Sequence, residues 1–108
     1  MTTASSDTPV LDTLAAMTID SLERCHLDQK TLILTRMAAL AAMDAPPISY
    51  LAHSGPAMDA GVSGADLQDV LVAVAPIIGT ARVMAAAGHI AQALGIAIAV
   101  AETEMPTT

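Results

Sequence analysis

The chain has almost nothing flat and large from which to build a core: no Trp, no Phe and a single tyrosine, Tyr50. Yet 54% of its residues are hydrophobic, so the apolar content rests on alanine, valine, leucine, isoleucine and methionine. Small and unbranched side chains of this kind favour helices and let them approach closely. The expectation is an all-α protein of about five helices. With 108 residues it has room for one domain and one modest core.

Charge narrows the reading further. Only 14% of residues are charged, against the ~25% usual in soluble domains, while a subunit this small exposes much of its surface. Apolar surface must therefore be covered by copies of the same chain or by lipid. Residues 83–101 form the longest uncharged run, 19 residues, which reaches the lower limit for a spanning helix. That run contains His89, Gln92 and two glycines, and has neither aromatic anchors nor a flanking cluster of Lys or Arg. Self-association is the better account, and no membrane partner is expected. A net charge of −7 argues against nucleic acid, whose phosphates call for a basic patch. Cys25 is the only cysteine, so an intrachain disulfide or a multi-cysteine zinc site is impossible. The opening "MTTASSDTP" lacks the basic and apolar regions of a secretory signal, and a cytoplasmic location is expected.

Helical period can be followed in five segments between polar tails at 1–8 and 103–108, leaving a domain over 9–102. Pro9 suits the first turn of a helix reaching about Arg24, with a partial apolar stripe of Val10, Leu14, Met17 and Leu22. Asp28 can cap a second helix, in which Leu32, Ile33, Arg36, Met37, Leu40 and Met43 recur at helical spacing. "DAPP" at 44–47 ends it. A third segment, 46–61, is interrupted at Gly55-Pro56 and closed by Gly61. Ser63 and Asp66 have the spacing of a capping box for a fourth helix, whose Leu67, Val70, Leu71 and Val74 face a core and which Pro76 and Gly79 end. Thr80 can cap a fifth, running to about Glu102 with Val83, Met84, Ala87, Ile90, Ala91, Leu94 and Ile98 on one side. "GIAIAVA" at 95–101 alternates like a strand, but a lone strand has no partner here and the segment reads as helix.

Few residues could carry chemistry. Cys25 and His26 adjoin, but neighbours on a helix point about 100° apart, and a free cysteine behaves as a small hydrophobe. Arg82, His89 and Gln92 share one stripe of the fifth helix, suited either to a polar pocket or to a solvated or oligomer-facing side. His53 is the distinctive candidate. Pro56 has no N–H for the carbonyl of Ala52, so a kink with a freed carbonyl would lie beside an imidazole, Tyr50 and Ser49. Such a cluster serves either as a proton-transfer site in an apolar cavity or as a self-satisfied structural network.

The stretch "LDQKTLILTRMAALAAM", a proline break, and "YLAHSGPAMDAGVSGADLQDVLVAVAPIIGTARVMAAAGHIAQALG" together resemble the carboxymuconolactone decarboxylase and alkylhydroperoxidase D-like superfamily. The likeness covers about 27–95. Its anchors are His53, Gly61, the Ser63–Asp66 helix start and the turn Gly79-Thr80-Ala81-Arg82. It implies an all-helical subunit assembling as dimers, or as trimers or hexamers built on them. The peroxidase branch carries a C-x-x-C pair ahead of the histidine; the positions seven and four before His53 are Pro46 and Ser49, and 31–43 contain no acid. The resemblance therefore points to the branch without thiols, a cofactor-free lyase acting on a small organic acid or lactone. It implies His53 as the proton-transfer residue, Tyr50 as its helper, and Arg36, Arg82 and His89 as candidates for binding the substrate, with no metal or cofactor. A rival reading keeps the chain as a non-catalytic assembly or small-ligand-binding member.

Overall fold

The computed structural model describes residues 7–104 (for 97 and for 100–104, the course of the backbone). The expected tails lie mostly outside those residues. Six helices follow one another: α1 (Pro9–Arg24), α2 (Gln29–Ala42), α3 (Pro47–Ala52), α4 (Ser54–Asp59), α5 (Gly64–Ile78) and α6 (Thr80–Glu104). No strand occurs among the described residues, and "GIAIAVA" is helical. The all-α expectation holds.

Helix α2 is the centre of the molecule. Its start is set by Asp28, whose carboxylate accepts from the Thr31 backbone N–H at 2.8 Å and from the Thr31 hydroxyl at 2.9 Å. Leu32, Ile33, Met37 and Ala41 lie on its buried face, and Tyr50, Ala57 and Ala93 join the same cluster. Helices α3 and α6 pack closely, as do α2 and α5. Alanine at the crossings makes this possible: Ala86 is 1% exposed and Ala93 5%. Cys25 packs against the cluster as a small hydrophobe, and His26 is exposed.

Five expectations need correction. The third segment is two helices, and the break falls at His53 rather than at Gly55-Pro56. Pro56 sits in the first turn of α4, where a missing N–H costs nothing, and the ladder restarts as Ala57 N–H donates to the His53 carbonyl at 3.0 Å. Pro76 does not end α5 but lies inside it. The carbonyl it leaves without a donor belongs to Val72, which is exposed to solvent. Gly79 makes the actual stop, at φ 85°, a conformation that favours glycine. The inward face of α6 overlaps the expected stripe at Ile90, which packs on the core cluster, but is otherwise offset from it: Ala86 and Ala93 are buried, while Met84, Leu94 and Ile98 are exposed. Thr80 is the first residue of α6 rather than its cap. Along α5, only Leu67 and Val70 of the four expected residues pack on the core cluster.

Helix α1 buries no residue. Val10, Leu11, Leu14, Met17, Ile19 and Leu22 all remain exposed. Among the described residues no helix is long and apolar enough to cross a membrane.

Candidate functional site

Four helices border one open cleft of about 330 Å³, α3 through Ala52 alone. From α2 come Gln29, Ile33 and Arg36, four and three residues apart and so on one face. Ile33 is 2% exposed and ties this face to the core. From α4 and the residue before it come His53, Pro56 and Asp59, each three residues from the last. Helix α1 closes the side with Thr18 and Leu22, one turn apart. Its hold on the cleft is a hydrogen bond from Arg36 Nη2 to Ser21 Oγ at 3.0 Å.

His53 occupies the joint between α3 and α4, half-buried, with φ −95° and ψ −2°. Its Nδ1 lies 2.8 Å from the Ser49 carbonyl oxygen. A carbonyl only accepts, so Nδ1 must carry the proton. In the neutral ring the lone pair is then on Nε2. The backbone thus sets both the tilt of the imidazole and its tautomer. The partner is the carbonyl of Ser49, one turn back, rather than that of Ala52. Ser54 is also engaged locally, donating to the Leu51 carbonyl at 2.7 Å.

The remaining sequence candidates are placed elsewhere. Tyr50, 3% exposed, lines a separate apolar cleft of about 170 Å³ with Met37, Ala57, Leu67 and Ile90. Its hydroxyl is buried without a hydrogen-bond partner. Burial, and secondarily the charge of Asp44, push the phenol above its ordinary range. Arg82 donates from Nη1 to the Ala42 carbonyl at the end of α2, where a cation also complements the helix dipole. His89 is half-buried, its Nδ1 enclosed without a partner. Neither Arg82 nor His89 lines either cleft. Of the five expected site residues, the structure brings together His53 and Arg36.

Sequence reasoning missed Asp59, Gln29 and Thr18. The signal was available in the spacing: Asp59 repeats the three-residue step from His53 through Pro56, and Gln29 shares a face with Arg36. Lys30 pairs with Asp66 at 3.1 Å, and the Asp66 carboxyl lies below the usual carboxylate range, chiefly because the Ser63 backbone N–H bonds to it and then because of Lys30. Among the described residues, no group of three or more His, Cys, Asp or Glu is arranged to hold a metal ion.

Residues 9–93 match the model of the carboxymuconolactone decarboxylase family, and the chain belongs to that family. No curated protein and no solved structure matches it.

Proposed function

We propose that the protein is a cytoplasmic, cofactor-free lyase of the carboxymuconolactone decarboxylase type, acting on a small organic acid or lactone. One observation carries this reading: His53 faces an open cleft with Nδ1 bound to the Ser49 carbonyl, so that Nε2 is free to exchange a proton, with Arg36 in the same cleft. Arg36 supplies the cation that a carboxylate requires. Loss of CO₂ from the bound acid leaves its electron pair on the substrate as a dienolate-like anion, and the adjacent guanidinium offsets that charge. The imidazolium delivers the Nε2 proton to carbon, and the ring is left neutral with its remaining proton on Nδ1. Solvent at the open cleft restores the Nε2 proton. Thiol chemistry has no place here, since Pro46 and Ser49 stand where a cysteine pair would be.

The test is CO₂ release from carboxylated lactones, carboxymuconolactone first, by wild type, His53→Gln and Arg36→Gln. Acid–base groups contribute about 10²–10⁴-fold. H53Q should lose at least about a hundredfold in kcat, and R36Q should raise KM. Unchanged turnover in H53Q would remove His53 from the mechanism.

We further propose that the active form is a homo-oligomer, a dimer or a trimer or hexamer built from dimers. The six exposed apolar side chains of α1, with Val72, Ile77, Met84 and Leu94 on α5 and α6, support it. Leu14→Glu with Met17→Glu should shift the assembly toward monomer in analytical ultracentrifugation. An unshifted sedimentation profile would place the contact elsewhere.

A further inference from the structure

Helix α1 has one face whose surroundings change halfway along. Leu11, Leu14, Thr18, Ser21 and, just past the helix, Cys25 follow at steps of three and four residues, a seam of the kind that packs against another helix. Val10, Met17 and Leu22 flank it, and the charged residues of α1, Asp12, Asp20, Glu23 and Arg24, all fall outside it. The second half of the seam lies on its own chain. Thr18 and Leu22 line the His53 cleft, Ser21 accepts from Arg36, and Cys25 packs on the core cluster. The first half is uncovered. Neither Leu11 nor Leu14 lines either cleft, and α1 is closely packed on no other helix. Exposure falls along the face, from 64% at Leu11 to 51% at Leu14 and 45% at Leu22.

We propose that the first half of α1 docks on the body of a second copy, and that this contact holds the second half in place as a wall of the His53 cleft. This rests on the reading of the protein as a homo-oligomer. A seam without charge suits another apolar surface, and the chain itself exposes Val72, Ile77 and Met84 on α5 and α6. Area decides between two arrangements. Val10, Leu11, Leu14 and Met17 present about 100 Å² each, so two first halves packed on one another would bury only about 800 Å², short of the about 1,200 Å² of a stable interface. With each first half laid on the other copy's body the contact occurs twice and buries about 1,600 Å², the standard size. A helix of 16 residues is marginal alone in water, and α1 buries none of its residues. Its own chain holds it by the Arg36–Ser21 hydrogen bond and the partial contacts of Thr18, Leu22 and Cys25. The wall stands only when the first half is covered, so the His53 cleft is complete only in the assembled protein.

The test compares wild type with Leu11→Ala/Leu14→Ala and Leu11→Glu/Leu14→Glu; alanine favours helix, so the first variant keeps α1 able to form. Sedimentation velocity reports assembly. Hydrogen exchange of the amides of 18–24, and the labelling rate of Cys25, the only cysteine, report whether α1 is seated. Both variants should shift toward monomer, with 18–24 exchanging and Cys25 reacting at least about tenfold faster, the least that the packing of one buried leucine would give. Wild type diluted below its own dissociation should behave likewise. If the variants dissociate while 18–24 and Cys25 keep their wild-type rates, the wall stands unaided and the inference is wrong. If both variants stay assembled as wild type does, the first half of α1 is not the interface. In either case the homo-oligomer reading survives. A wild type that is monomeric at every concentration removes that reading and this inference together.

Discussion

Tyr50→Phe should leave the protein at least as stable as before, against the usual expectation for a buried tyrosine. A bonded hydroxyl contributes about 1 kcal/mol, so its removal ordinarily destabilises; an enclosed polar group without a partner instead costs about 1–3 kcal/mol in lost hydration. Tyr50 is 3% exposed and its hydroxyl has no partner. Phenylalanine keeps the ring that packs with Met37 and Ala57 and removes only the oxygen. The expected gain is about 1 kcal/mol, equivalent to roughly 4–6 °C in Tm for a domain of this size. Urea melts followed by far-UV circular dichroism would measure it, with the slope unchanged. A loss of 1 kcal/mol or more would show that the hydroxyl is bonded and that the argument is wrong. The same variant has an alkaline signature. Burial and Asp44 raise the phenol's folded value, so the unfolded chain gives up its proton first. Wild-type stability should therefore fall as pH rises above about 10, and Y50F should lack that part of the decline.

Arg82→Ala removes the donor to the Ala42 carbonyl and should cost about 1 kcal/mol in a urea melt while leaving ligand binding in the His53 cleft unchanged. A large loss of binding with stability intact would return Arg82 to the site. Ser63→Ala breaks the capping box, in which Asp66 N–H donates to Ser63 Oγ at 3.0 Å, at a cost of about 1 kcal/mol; a neutral result would mean that solvent replaces the cap. Asp66 and Asp28 both have folded values below the usual carboxylate range, Asp28 chiefly through the Thr31 N–H. Their contribution is present above that range and is lost as pH falls through it into the lowered values. Thermal melts from pH 7 to pH 2 should decline in that window, and Asp66→Asn should flatten the decline.

Local chemistry was legible in the residues themselves. The aliphatic composition gave an all-α chain, Asp28 and Ser63 marked helix starts, and Gly79 marked a stop, because caps and left-handed turns are decided within a few residues. His53 was singled out for the right neighbourhood but with the wrong carbonyl, since a proline in a first turn breaks nothing and the ladder parts one turn earlier. Facing was less accessible. On α6 the large side chains suggested the inward stripe; Ile90 packs on the core, yet Ala86 and Ala93 take the buried positions, because close helix crossings select small residues and leave Met84 and Leu94 exposed. Only tertiary packing could separate Tyr50 from His53, three residues away, into different clefts. Only packing could bring Asp59 of α4 to the cleft that Gln29 and Arg36 of α2 line. The sequence determined which helices form and which residues can hold charge; the docking of α1, α2 and α4 decided which of those charges meet, since that depends on contacts between residues far apart in the chain.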